Sequence, residues 1–259
     1  MSRIGIFDSG FGGLTVQRAI LDALPAVDTI YLGDTARLPY GSKSAETVTQ
    51  YSLKNARFLA LHEIDLLVVA CNTASAVAIP ALRDALSVPV LGVVEPGARA
   101  AIRATRTGRV GVIGTQGTVA SGAYQRAIRA LRPDAEVVAR ACPLFVPLAE
   151  EGWTDPADPI VQGIALRYLA PLRDAGVDTL VLGCTHYPLL KAAIGAALPG
   201  VALVDSADAI AAEVRARIEL AAPRAGVHRF FVTDAPEKFL GLAGRFLGRE
   251  VSAAEHVDV

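Results

Sequence analysis

The chain has 259 residues, 52% of them hydrophobic, and its 25 Lys and Arg face 26 Asp and Glu for a formal net charge of −1. That balance offers no electrostatic footprint for nucleic acid, and no apolar stretch runs the ~18 uncharged residues a membrane span needs. Three cysteines, odd in number and without a close pair, exclude a disulfide framework and fit a reducing compartment. The N-terminus, Met1-Ser-Arg-Ile-Gly-Ile-Phe-Asp8, enters a strand-like run without a basic and apolar leader, so a cytoplasmic location is expected.

In chain order, apolar β-rich runs predict strands at Arg3–Phe7, Thr29–Leu32, Leu66–Ala70, Val90–Val94, Val110–Ile113, Glu136–Ala139, Thr179–Leu182 and Ala202–Val204. Helical periodicity separates them at Leu14–Leu24, Ser44–Glu63, Ala76–Leu86, Gly122–Leu131, Ile160–Ala175 and Leu189–Leu198. The tail is expected to hold a helix over Ala207–Ala221, a short strand at Arg229–Thr233 and a last helix. Strands alternating with helices of this length imply βαβ units and a mainly parallel sheet, an α/β fold. The strand runs are continuously apolar, as strands covered on both faces must be.

The chain also repeats itself. Ile4-Gly-Ile-Phe-Asp-Ser-Gly-Phe-Gly12 aligns with Val110-Gly-Val-Ile-Gly-Thr-Gln-Gly-Thr118. Val68-Val-Ala-Cys-Asn-Thr-Ala-Ser75 matches Leu180-Val-Leu-Gly-Cys-Thr-His-Tyr187, and Val90–Glu95 matches Val201–Ser206. Collinear matches at nearly constant offset suggest a duplicated four-strand α/β unit, residues 1–96 in one half and 97–205 in the other. The tail from Ser206 has no counterpart in the second half and is expected to pack back onto one of the two.

Cys71 and Cys184 each sit where a buried strand gives way to a polar loop. In open α/β folds that carboxyl edge is where ligands bind. A buried cysteine taken singly often only packs. A symmetric pair flanked by Asn72, Thr73, Thr185 and His186 suggests two thiols facing one ligand from opposite sides. A thiolate is a base and a thiol an acid once its pKa lies near the ambient pH. One on each face of a carbon removes a proton from one side and delivers another to the opposite side, which inverts a stereocentre. Zinc lacks a ligand set, since there is no C-x-x-C and His186 is the only histidine near either cysteine. The same lack argues against a redox pair. No pyridoxal phosphate fingerprint appears around Lys43, Lys54, Lys191 or Lys238, so the expected cofactor is none.

Other candidates stay open on this reading. Asp8-Ser-Gly-Phe-Gly-Gly13 suits an anion held by backbone amides at a helix start, or is only a tight turn capped by Asp8. Tyr40-Gly41 offers amides and a phenol for a carboxylate. Glu150, in a predicted loop after the apolar Cys142–Ala149 stretch, is either a surface charge or a group reaching into the cleft. Cys142 reads as packing, and His62, His228 and His256 as structural or exposed.

Four motifs in order, Asp8-Ser-Gly-x-Gly-Gly13, Gly33-Asp-Thr-x-x-x-Pro-Tyr-Gly41, Ala70-Cys-Asn-Thr-Ala-Ser75 and Gly183-Cys-Thr-His-Tyr-Pro-Leu-Leu190, together resemble bacterial glutamate racemase. Asp8-Ser9 and His186 favour this branch over the aspartate racemases. The resemblance implies two similar, pseudo-symmetric α/β domains with the site in the cleft between them, and D-glutamate supplied for peptidoglycan without a cofactor. It matches Cys71 and Cys184 to the catalytic thiols, Asp8 and His186 to their respective assistants, and Glu150 to an active-site carboxylate. Substrate contacts would fall on Ser9, Tyr40, Gly41, Asn72, Thr73, Thr115, Thr118 and Thr185, beside Asp8 and His186. The tail packs with the first half in that family, giving domains 1–96 plus 206–259 and 97–205. The implied partner is a small molecule, L- or D-glutamate, with no membrane or nucleic acid, and a homodimer is compatible with the resemblance. The rivals are an aspartate or other two-cysteine racemase, and a catalytically silent two-lobed protein that binds an acidic amino acid.

Overall fold

The computed structural model describes residues 2–218 and 225–259. Its strands are β1 (Arg3–Asp8), β2 (Asp28–Gly33), β3 (Leu66–Val69), β4 (Val90–Gly92), β5 (Arg109–Gly114), β6 (Glu136–Ala141), β7 (Thr179–Gly183), β8 (Ala202–Asp205), β9 (His228–Val232) and β10 (Glu255–His256). They form two parallel sheets, β10-β9-β2-β1-β3-β4 and β6-β5-β7-β8. Without β9 and β10 the two orders coincide, and the repeats noted in the sequence fall on equivalent strands: β1 with β5, β3 with β7, β4 with β8.

Successive residues of the central strands feed opposite cores, as the two-residue period of a strand requires. Ile4, Ile6 and Val68 join the helices Leu14–Ala23, Ser206–Arg217 and Pro236–Leu247 on one face of the first sheet. Phe7, Leu67 and Val69 pack with the helix Ala45–Ala60 on the other. In the second sheet Leu180 and Leu182 face one cluster and Val181 the other. In each unit the strand order reverses beside the first strand, between β1 and β3 and between β5 and β7. Connections leave such a point toward opposite sides and open a crevice at the carboxyl ends of the strands. Asp8 and Cys71 end at one crevice, Thr115 and Cys184 at the other.

Several boundaries differ from the sequence reading, mostly at prolines. The helix expected over Ala76–Leu86 is two, Asn72–Val77 and Ile79–Ala85, and the second has Pro80 in its first turn, where no N–H is needed. The strand expected to reach Val94 stops at Gly92, and Pro96 lies in the first turn of a helix, Val94–Ala104. A helix Gln116–Ser121, capped by the Thr115 hydroxyl, precedes Ala123–Leu131. The Glu150 loop is instead the last turn of a helix, Phe145–Glu151, whose Pro147 again occupies the first turn. The helix expected over Ala207–Ala221 runs Ser206–Arg217, and its expected end at 219–221 lies outside the described residues. β9 adds parallel to β2, pairing Thr29 with His228, and β10 adds to β9. Among the described residues no helix is long and apolar enough to cross a membrane.

One buried carboxylate fastens this tail beside the site. Asp34, just after β2, pairs with Arg37 at 3.0 Å and accepts from the Thr233 hydroxyl at 2.9 Å and from the Tyr40 hydroxyl. Tyr40 in turn accepts from the Asn55 amide at 3.0 Å. Asp34→Ala leaves a guanidinium and two hydroxyls without their acceptor, and breaking a buried pair from one side costs about 3–5 kcal/mol. The variant should unfold at a clearly lower urea concentration than the parent. An unchanged midpoint would contradict this role.

Candidate active site

Both thiols reach one cavity of about 240 Å³ between the carboxyl edges of the two sheets. The reason is local in each half. β3 ends at Val69 and a helix starts at Asn72, so Cys71 sits at the helix N-terminus with its side chain at the crevice. β7 ends at Gly183, and Cys184, Thr185 and His186 make the equivalent turn.

The surroundings of the two sulfurs differ. The Cys71 thiol donates to Ser9 Oγ at 3.8 Å. Burial, reinforced by the nearby Asp8 carboxylate, pushes the Cys71 thiol up to about 12. Asp8 is itself raised above the usual carboxylate range by burial, although His186 and the amide of Gly10, which donates to its Oδ2 at 3.0 Å, pull the other way. Its Oδ1 has no partner among the described residues. On the opposite wall His186 Nδ1 lies 3.9 Å from Cys184 Sγ, and its Nε2 lies 3.1 Å from Glu150 Oε1. Burial works against the imidazolium, but its hydrogen bonds to Cys184 and Glu150 outweigh that and raise His186 to about 10. Burial also works against the Glu150 carboxylate, yet His186 and Lys238 hold it below its ordinary value. The second half therefore places a cation beside its sulfur, and the first places the buried Asp8 carboxyl group there.

Of the residues predicted for the site, Ser9, Tyr40, Gly41, Cys71, Asn72, Thr73, Thr115, Glu150, Cys184, Thr185 and His186 all line the cavity. Asp8 and Thr118 stand behind its wall. Thr118 holds the hydroxyls of Thr73 and Thr115 at 3.2 and 3.0 Å, and those two lie 2.9 Å apart across the cleft. Tyr40 lines the cavity, but its phenol is directed to Asp34, so its backbone is what it offers a ligand. Asn72 accepts from the buried Tyr124 hydroxyl at 2.7 Å, which leaves its amide nitrogen buried and without a partner among the described residues. Tyr124 gave no signal in the sequence, because an aromatic on an apolar helix face reads as core. No cluster of three or more His, Cys, Asp or Glu arranged for a metal occurs among the described residues.

The glycine-rich loop has a further role that the sequence reading did not weigh. A Cβ on Gly12 would stand 2.2 Å from Thr185 Oγ1 and 2.5 Å from the His186 ring. Thr15 Oγ1 donates to the Thr185 carbonyl at 2.9 Å. Gly12 is bare because the second half presses against it.

Residues 4–214 match the sequence profile of the Asp/Glu/Hydantoin racemase family. The glutamate racemase of Geobacter metallireducens is 58% identical, over 99% of this chain and 96% of the relative. Among solved structures, a glutamate racemase isoform of Bacillus anthracis superposes with a TM-score of 0.94 at 41% identity, covering 100% of this chain and 98% of that one. The Francisella tularensis glutamate racemase, solved in complex with D-glutamate, superposes with a TM-score of 0.93 at 36% identity, covering 99% and 97%. The chain belongs to the Asp/Glu/Hydantoin racemase family, in its glutamate racemase branch.

Two outcomes follow from the geometry. Gly12→Ala should fold, with the halves displaced and turnover down about 10²-fold, the scale on which ångström misplacement acts; near-normal turnover would contradict the close-packing role. The raised value at His186 means its protonated form stabilises the fold fully below pH 6.5, and this contribution is lost as pH rises through about 10. In Glu150→Gln the His186 ring should therefore lose its proton at a lower pH, read by NMR of the ring protons. An unmoved titration would show that Glu150 does not hold the imidazolium.

Proposed function

We propose that the protein interconverts L- and D-glutamate without a cofactor, one thiolate taking the α-proton while the opposite thiol delivers another. The observation that carries this reading is the entry of Cys71 and Cys184 into one cavity from equivalent strand ends of the two units. The bound D-glutamate of the Francisella tularensis relative supports the choice of substrate. Cys71 deprotonates D-glutamate and Cys184 deprotonates L-glutamate, following the family pattern. The free Asn72 amide, the hydroxyls of Ser9, Thr73, Thr115 and Thr185, and the backbone at Gly41 are the donors we assign to the substrate carboxylates.

The α-proton of an amino acid is hard to remove because the carboxylate already carries charge. Donors fixed in place before the reaction stabilise the carbanion without reorganising. Burial and Asp8 both keep Cys71 protonated at rest, so it waits as the acid. The ammonium of the bound amino acid is the group that offsets charge when Cys71 acts as base. On the other side the His186 imidazolium offsets the charge of Cys184. We read residues 1–96 with 206–259 as the first domain and 97–205 as the second, so that each domain brings one thiol. The product serves peptidoglycan synthesis in the cytoplasm.

Circular dichroism of the purified protein with D-glutamate and no added cofactor should decay to zero, and D-aspartate should be a poor substrate. The equilibrium constant is one, so kcat/KM must be equal in the two directions. Cys71→Ala and Cys184→Ala should each therefore lose both directions, by about 10²–10⁴-fold or more for a displaced acid–base group. Retained turnover in either variant, or faster decay with D-aspartate, would contradict the proposal.

A further inference from the structure

The helix Pro236–Leu247 belongs to the first sheet's core, where Phe239, Ala243, Phe246 and Leu247 pack with Phe11, Leu14 and Tyr31. One of its side chains leaves that core and crosses to the other half. Arg245 Nη1 donates to the carbonyls of Glu150 and, at 3.5 Å, of Ala149. These are terminal carbonyls of the helix Phe145–Glu151, where a helix runs out of its own donors; Ala149 also accepts from the Gly152 N–H at 3.2 Å. A cation at that end also matches the helix dipole. The turn is shaped around the guanidinium: Gly152 follows with φ +79, and a Cβ there would stand 2.9 Å from Arg245 Cζ. Ala149 is fully buried in the first sheet's cluster, so the end of this helix is seated on the opposite half. Phe246, the next residue, meets the His186 ring edge-on, with centroids 5.1 Å apart at 77°.

We propose that Arg245 is a positioning residue for the Cys184 side of the reaction. By holding the carbonyl end of the Phe145–Glu151 helix it fixes where Glu150 presents its carboxylate to His186. The proton relay at Cys184 is thereby set by a helix of the other half, and it is assembled only when the two halves are seated together. This rests on the functional reading above, in which His186 and Glu150 serve Cys184.

A double-mutant cycle on the full-length protein tests it, using Arg245→Gln, Glu150→Gln and the pair, with kcat and KM for both enantiomers and the unfolding temperature of each. Arg245→Gln should lower kcat by about 10²-fold with little change in KM, the cost of a misplaced group. Arg245→Lys, which keeps a donor and the charge, should recover part of that loss and serves if the Gln variant does not fold. In the Glu150→Gln background the same Arg245 substitution should cost no more than about threefold, because it has nothing left to position. An equal factor in both backgrounds, tracking the unfolding temperature, would overturn the proposal and leave Arg245 a structural clasp. A silent Glu150→Gln would overturn the assignment of Glu150 and the proposal with it, whereas a loss of the Cys71 and Cys184 dependence would overturn the racemase reading itself.

Discussion

A single carbon can be approached from both faces only if two protein edges stand within a side chain's reach of each other. Every other feature of the site depends on that closeness. It is maintained at bare backbone and short hydroxyls: Gly12 under Thr185 and His186, and Thr73 of one half against Thr115 and Thr118 of the other. Larger side chains at these points would separate the sulfurs and admit water, which weakens every electrostatic interaction in the cleft. The parallel sheets are what make the closeness affordable, because their carboxyl ends collect loops at one crevice each.

The scaffold is symmetric and the chemistry on it is not. In the repeat alignment Asp8 falls opposite Gly114, and His186 falls opposite Thr73. Cys71 accordingly lies near the Asp8 carboxyl group of the neighbouring strand, and Cys184 near an imidazole of its own turn that is hydrogen-bonded to Glu150. The two substrates differ in configuration at one carbon, so in a chiral cleft they cannot present all their other groups to the two sulfurs alike. Unequal surroundings for equal thiols fit that demand. They also leave the resting site uneven, with an imidazolium by one sulfur and the buried Asp8 carboxyl group near the other.

Much of this was legible in the sequence because the relevant signals are local. Continuous apolar runs marked the strands, collinear repeats marked the duplication, and the strand-to-loop position of Cys71 and Cys184 marked the crevice. What stayed hidden depends on contacts between distant segments. Nothing around Tyr124 tells that its hydroxyl orients Asn72. Nothing around Gly12 tells that a histidine from the second half occupies the space of its missing side chain. The Tyr40 phenol looked available to a ligand until Asp34 was seen to hold it. Boundaries near prolines were the least legible: the helix expected straight through Pro80 is divided ahead of it, and Pro96 and Pro147 lie in the first turns of helices that begin where none was expected.

The central claim, that two separate thiols act on opposite faces, is tested most directly by hydrogen exchange at the α-carbon. With protiated D- or L-glutamate in D₂O, product formed in the first turnover should carry solvent deuterium, because the donating thiol has already exchanged. Substrate recovered at low conversion should remain nearly unlabelled if the proton on the accepting thiol returns before it exchanges. Product of either hand that kept substantial substrate-derived hydrogen would mean that a single base carries the proton across, and would contradict the two-thiol account.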